Sequence, residues 1–265
     1  MTERPGPMLD DGAVDLRNHT DGHYARLADG YNDIWSKRSE YLTWMSAEIA
    51  DRLRVPEGAR IADIGAGTGL FLGRLMECAS PRTPILCVDP SAEMLRQLPR
   101  DPRLRPVQRT AEDVAAGRVA LPYEALDAVL IKETIHHLTD APGTLRGLAD
   151  LLAPGGRILV VTLPPLLDYP LFQAALDRFA TGQPEPESLA DAMRAAGLET
   201  EYSIEAFPVT IDREHYLDLV GNQWMSVLSS FTDEELAAGL DEMRDRYPQR
   251  ELRFADRFAF ISGVR

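Results

Sequence analysis

Four short, nearly continuous apolar runs lie at residues 60–64, 85–89, 126–131 and 157–163. Runs of this length without polar alternation suit strands covered on both faces, as in a parallel sheet. Stretches of helical period separate them. Leu72, Leu75, Met76 and Ala79 share one face after the first run, and Met94, Leu95 and Leu98 follow the second. Leu145, Leu148, Ala149 and Leu152 precede the fourth, where Pro154-Gly155-Gly156 breaks the helix and turns the chain into a strand. A further strand is expected before Thr110. The alternation predicts an α/β fold, a doubly wound Rossmann-like sheet that is mostly parallel.

The flanks read differently. Residues 1 to about 20 are polar, with Pro5, Gly6, Pro7 and Gly12, and predict an arm that could exchange between subunits of a homo-oligomer. Residues 22–54 read as helical and carry Tyr24, Tyr31, Trp35, Tyr41 and Trp44. Downstream, Leu189, Ala192, Met193 and Ala196 line a helix at 187–196 that stops at Gly197. A strand is expected at 201–210, an inserted helical segment at 213–230, and a last strand at 252–263. Thr232 to Glu235 reads as a capping box, opening a helix with Leu236, Leu240, Met243 and Tyr247 aligned. Thr181 to Pro186 reads as a loop. The expected organisation is an arm and helical cap over 1–54 and an α/β core over 55–165. The rest of the sheet follows over 166–265, with a helical substrate cap inserted at about 212–231.

The first apolar run ends in chemistry. Ile61-Ala62-Asp63-Ile64 leads into Gly65, Gly67 and Gly69 at alternate positions. A strand, a glycine turn and a helix form a nucleotide cradle, because small residues let a ligand approach backbone N–H groups. A dinucleotide fingerprint, G-x-G-x-x-G, would need glycine where Leu70 stands. A P-loop would need Gly-Lys followed by Ser or Thr, also absent here. Asp63 would repel a pyrophosphate and suits a ligand with an ammonium group. Asp89, at the end of the second run, is placed to accept hydrogen bonds from ribose hydroxyls. An N-cap role for the following helix is the plain alternative, and Ser91 would serve it equally well.

Composition narrows the partners. The 265 residues are 45% apolar and 26% charged with a net charge of −14, and show no basic cluster of the kind a nucleic-acid surface displays. Lys37 and Lys132 are the only lysines, an arginine bias that points to a GC-rich bacterial genome. Cys78 and Cys87 read as small core residues, and with the scattered histidines they give no metal-ligand spacing. No apolar run approaches the length of a membrane span, so a cytoplasmic protein without membrane contact is expected.

The pattern D-x-G-x-G-x-G at Asp63 to Gly69 resembles the first motif of class I S-adenosylmethionine-dependent methyltransferases. The ordered set extends the resemblance over residues 60–163: Asp89, the acidic turn Thr110-Ala111-Glu112-Asp113, the element Ile135-His136-His137-Leu138, and Pro154-Gly155-Gly156. The late strand–helix–strand pattern is similar to the antiparallel last strand of that family's sheet. The resemblance implies S-adenosylmethionine as cofactor. Residues in matching positions are Asp63, Gly65, Ala66, Gly67, Asp89, Pro90, Met94, Ala111, Glu112, Asp113 and Lys132, with Tyr24 and Tyr31 matching approximately at the methionine end.

On this reading the protein aligns an acceptor and removes a proton where needed. His136, just past a strand's C-terminal end, is the candidate base, since a histidine of near-neutral pKa suits deprotonation of a hydroxyl. Glu133 would orient it, hold a polar group of the substrate or contact the cofactor. Lys132 is awkward, because a cation beside a sulfonium is unfavourable unless its head points away. Trp35, His137, Tyr169, Phe172, Phe179 and Trp224 are candidates to line a substrate pocket, with core packing as the alternative for each aromatic residue.

The position of an N-P-P-Y motif for amino methylation is occupied by Lys132-Glu133-Thr134-Ile135, and no cysteine cluster for arsenic is present. The expected acceptor is a small organic molecule, such as a bacterial secondary metabolite, methylated at oxygen or carbon. Alkene methylation of a prenylated substrate, with carbocation rearrangement or cyclisation, is the alternative. An NAD-dependent oxidoreductase or a non-catalytic S-adenosylmethionine-binding protein would be readings of another class.

Overall fold

The structure, a computed structural model, describes residues 39–265. Tyr24, Tyr31, Trp35 and the polar arm lie outside the described residues. Seven strands form one sheet in the order β3-β2-β1-β4-β5-β7-β6. The first five are β1 (Ile61–Ile64), β2 (Ile85–Val88), β3 (Leu104–Val107), β4 (Leu126–Lys132) and β5 (Leu152–Thr162). They pair in parallel, and the order reverses at β1, which lies between β2 and β4. The last two, β6 (Glu199–Asp212) and β7 (Glu251–Val264), close the sheet, with β7 antiparallel to both neighbours. This is the doubly wound architecture that the alternation of apolar runs predicts.

Two cores cover the sheet. On one face α1 (Ser39–Leu53) buries Tyr41, Met45, Ile49 and Leu53 against Ile61, Leu130, Val161 and Phe260. Full burial of each such side chain contributes about 1.5–3 kcal/mol. The other face buries Ala62, Val88, Ile131 and Val160 under three further helices. These are α4 (Ala111–Ala115), α5 (Ala141–Asp150) and, beyond α6 (Gln173–Gly182), α7 (Pro186–Ala195). The short helices α2 (Leu75–Cys78) and α3 (Ala92–Arg96) complete the crossovers of β1 and β2.

Three local expectations change. The helix expected immediately after the first glycines is only the single turn α2. Gly65, Gly67 and Gly69 have φ of +73°, +53° and +73°, so the chain runs in turns before right-handed helix can begin. Pro154-Gly155-Gly156 does not precede its strand but lies within the irregular start of β5, where pairing with β4 shifts register between Leu126 and Ala128. The loop expected from Thr181 to Pro186 shrinks to residues 183–185. The helix α6 runs to Gly182, and Pro186 starts α7, where its missing N–H costs nothing.

The β6–β7 hairpin is longer than the sheet it joins. The β5 strand pairs with β7 only from Arg157 opposite Val264 to Thr162 opposite Ala259. Strands β6 and β7 stay paired as far as Asp212 opposite Glu251. The overhanging end carries α8 (Arg213–Gly221), a 3-10 turn at Ser226–Ser230 and α9 (Asp233–Arg246). The Thr232–Glu235 capping box is present at the start of α9. The α6 helix joins this layer: Arg178 donates to the carbonyl of Ser230, and Phe172 sits edge-on to Phe231 at 5.0 Å.

Candidate active site

The glycine loop leaves β1 at the switch point of the sheet, where ligands of doubly wound folds bind. Gly65 and Ala66 donate their N–H groups to the Val88 carbonyl, which ties the loop to the end of β2. Asp89 ties it again: one carboxylate oxygen accepts the Gly67 N–H at 2.9 Å, and the other accepts the Ser91 N–H at 2.8 Å. Ser91, not Asp89, caps α3 through Met94 N–H. Asp89 is therefore a loop-organising carboxylate, held at the surface of the cradle at 8% exposure. Met94 lies across the loop, 3.2 Å from where a Cβ on Gly67 would stand. Pro90 is exposed beside it, and Ala111 is buried at the start of α4.

The two acids of the Ala111 turn divide. Glu112 accepts the Thr139 N–H at 3.2 Å, joining the turn to the segment after β4. Asp113 pairs with Arg118 at 2.7 Å, and that hydrogen bond holds its carboxyl below the usual range. Glu112 thus ties the turn to the segment after β4, whereas Asp113 is engaged by Arg118 just past its own helix.

Asp63, Lys132 and Asp256 share one sheet face. Register places Asp63 beside Leu130, two residues from Lys132, and Lys132 beside Val161, which pairs with Phe260 on β7. Phe258 and Asp256 follow on the same side of β7, because alternate strand residues share a face. Burial, with the nearby Asp89 charge, pushes the Asp63 carboxyl up to about 7, against the pull of Lys132. The Lys132 ammonium sits 4.0 Å from the centre of the Phe71 ring and 5.3 Å from that of Phe258. Its head is thus turned into aromatic rings, which answers the difficulty of a cation at this position. Burial lowers its pKa, while Glu133, Asp256 and Asp63 favour the charged form. The Lys132 carbonyl accepts the Thr134 hydroxyl at 3.0 Å.

Past Lys132 the chain turns sharply. Glu133 has φ +51°, an uncommon conformation for a residue with a side chain. Its carboxylate accepts the Leu163 N–H at 2.9 Å, bracing the ends of β4 and β5. Burial raises it to about 7, opposed by Lys132. Ile135–His137 form a 3-10 turn, with the two imidazoles 4.0 Å apart between centres. The Nδ1 of His136 is buried and has no hydrogen-bond partner. Burial first, and His137 second, push the His136 pKa well below its ordinary value. The near-neutral pKa expected of this side chain is corrected: burial keeps the ring neutral.

The expected pocket aromatics separate into two groups. Tyr169 donates a hydrogen bond to buried Asp256 and stacks on Trp224 at 5.8 Å. Phe172 and Phe179 are buried within the helical layer, Phe172 wedged between Phe231 and Gly239. Asp256, Phe71, Phe258 and Thr134 were not among the sequence candidates. Asp256 had a readable signal: it interrupts the alternate apolar row Leu252, Phe254, Phe258, Phe260.

A doubly wound sheet with a glycine loop at its switch point and an acid closing the loop from β2 has the arrangement of a nucleotide-type cofactor site. Comparison with known proteins agrees. Residues 62–158 match the family model described as a methyltransferase domain. The ubiquinone/menaquinone biosynthesis C-methyltransferase UbiE of Pasteurella multocida is 31% identical over 117 residues, which is 43% of this chain and 44% of that protein. The chain thus spans about half the length of this curated relative. A putative methyltransferase from an antibiotic biosynthesis pathway of Anabaena variabilis superposes with a TM-score of 0.60 at 18% identity, covering 82% of this chain and 96% of that one. A Haemonchus contortus phosphoethanolamine N-methyltransferase, solved with S-adenosylhomocysteine, gives a TM-score of 0.58 at 14% identity, covering 96% of this chain and 60% of that one. The matched core, these relatives and the shared fold support a class I S-adenosylmethionine-dependent methyltransferase family. No described helix is long and apolar enough to cross a membrane.

Proposed function

We propose that this chain is an S-adenosylmethionine-dependent methyltransferase acting at oxygen or carbon of a small organic acceptor, a bacterial secondary metabolite. The observation that carries the reading is the junction of two half-sites. Asp89 fixes Gly67 on the donor side, while Gly65 packs directly on Thr134 at the acceptor end of β4.

The residues fit the cofactor. Buried Asp63, whose pKa burial and the Asp89 charge push up to about 7, would gain an opposite charge from an approaching amino-acid ammonium. Asp63, Gly65, Ala66, Gly67, Asp89, Pro90, Met94, Ala111 and Glu112 would hold the cofactor. When bound, S-adenosylmethionine supplies an electrophilic methyl group. Glu133 braces the floor of the acceptor site through Leu163. The neutral His136 offers Nδ1 to the proton that the acceptor surrenders. Tyr169, Trp224 and the helical layer exclude water from the acceptor side.

Calorimetric titration with S-adenosylmethionine and, separately, with NAD tests the donor. Binding of NAD without S-adenosylmethionine would overturn the reading. His136→Ala should preserve cofactor affinity and slow methyl transfer by roughly 10²–10⁴-fold. Unchanged turnover removes His136 from this role. A protein that binds cofactor but methylates nothing in a panel of phenols, hydroquinones and prenyl diphosphates would be a non-catalytic binder. Alkene methylation has one observation in its favour, the group of rings Tyr41, Trp44, Phe207 and Phe258, which would steady a carbocation. Product from a prenyl diphosphate and from no phenol would select it.

A further inference from the structure

Lys132 has chemistry that cofactor binding does not use. Its Nζ lies against the Phe71 and Phe258 rings, and no described carboxylate lies within the 4.0 Å of an ion pair. An ammonium has three donors. Here none of them has a hydrogen-bonded partner among the described residues, although the side chain is only half-buried. The rings hold its position while the donors stay available. Around it stand Asp63 from β1, Glu133 just past the end of β4 and Asp256 from β7, each coupled to it by charge. Tyr169 from the segment after β5 anchors Asp256 by hydrogen bonding to one oxygen. The cation is therefore preorganised at the edge of the acceptor site by four elements.

We propose that Lys132 is the acceptor-recognising residue, and that its ammonium binds the oxygen of a phenol, enol or hydroquinone in ionised form. This rests on the methyltransferase reading and names its acceptor class. The acceptor's O–H bond breaks with its electron pair left on oxygen, and the proton passes to solvent water. The oxyanion then faces Lys132, and the same charge activates the oxygen or the conjugated ring carbon as nucleophile. An N–H···O contact between two charged groups is roughly twice as strong as a neutral one, so the ionised form is selected. Asp256 and Tyr169 are positioning residues: they hold the charge balance around the ammonium and touch no reacting atom.

The test uses 4-nitrophenol, whose phenolate is coloured and whose phenol is not. The full chain, with S-adenosylhomocysteine added, is titrated with this probe across pH, and the bound ionisation is read by absorbance. Wild type should bind the phenolate and shift its ionisation to lower pH. Lys132→Met should weaken probe binding at least about tenfold and abolish the shift, the loss of one charge-assisted hydrogen bond. Lys132→Arg should keep the shift. Calorimetry of S-adenosylhomocysteine on each variant separates the two readings: affinity should stay within about threefold of wild type, since the glycine loop is held by the Val88 carbonyl and Asp89 rather than by Lys132. If Lys132→Met does not fold, Lys132→Gln provides the same comparison. Equal probe binding in wild type and Lys132→Met, binding of the neutral phenol, or no probe binding to wild type would overturn the proposal. Failure of S-adenosylhomocysteine to bind wild type would instead overturn the methyltransferase reading.

Discussion

Gly65→Ala tests the junction between the two half-sites, and its cost separates into two parts. A Cβ on Gly65 would stand 1.9 Å from Thr134 Oγ1, 2.5 Å from its Cγ2 and 2.7 Å from its Cβ. Gly65 also has φ +73°, a conformation that costs a residue with a Cβ about 1–2 kcal/mol. Gly155 isolates that backbone term, because its φ is +77° and nothing lies within 4 Å of its Cβ position. Gly155→Ala should therefore lose only about 1–2 kcal/mol. Gly65→Ala should lose a further ~1–3 kcal/mol from overpacking, since Thr134 is fixed by its bond to the Lys132 carbonyl. Urea unfolding of both variants reads the difference, and calorimetry should show cofactor affinity lost with Gly65→Ala alone. Thr134→Gly removes all three clashing atoms. In a double-mutant cycle it should recover most of the steric part and none of the backbone part. Equal losses for the two glycine variants, or no coupling to Thr134, would refute the close approach of β4 to the glycine loop.

Asp89→Ala should weaken S-adenosylmethionine binding by tenfold or more, because it frees the Gly67 and Ser91 N–H groups as well as removing the carboxylate proposed to hold the ribose. Unaltered affinity would count against the donor site. Arg265→Ala should destabilise the fold by about 1–3 kcal/mol without touching cofactor affinity, since one guanidinium nitrogen donates to the carbonyls of Ala149, Asp150 and Leu152 at the end of α5. Full-length stability on urea unfolding would refute that cap. The ligand-free protein should lose stability as pH rises through the window from about 4 to 7. Asp63 and Glu133 are raised from 3.8 and 4.5 to about 7, so the folded state holds their protons over a range where the unfolded chain has released them. Asp63→Asn should flatten that slope, and an identical pH dependence in the variant would sink the argument.

The sheet was legible because its signal is local. A strand buried on both faces must be apolar throughout, and β1, β2, β4 and β5 declare themselves within four to eight residues. The glycine loop and Asp89 lie next to such strands, so their placement at the switch point followed from the alternation alone. Boundaries were less legible where backbone conformation decides them. The helix after the loop is delayed by positive φ at three glycines, and the irregular entry to β5 is held by reciprocal bonds of Gly155 and Gly156 with Arg265, more than a hundred residues away.

The acceptor side was legible only in part, and the reason is the register of β7. Asp256 reaches the row that contains Asp63 and Lys132 because β7 runs antiparallel into the sheet and pairs Ala259 with Thr162. A slip of one residue would turn Asp256 to the opposite face and bring its neighbours into the row, since side chains alternate along a strand. No nearby residue announces that register; it is set by the apolar partners Phe258 and Phe260 finding the core under α1. The same geometry explains why Lys132 was awkward in sequence. Beside the glycine loop alone a cation is misplaced, but the ring of Phe71 just past that loop, with the ring of Phe258 and the charge of Asp256 from distant β7, gives it a seat. A charged residue that contradicts the local motif is thus a pointer to chemistry supplied by the rest of the chain, which is the ground on which Lys132 is proposed to face the acceptor.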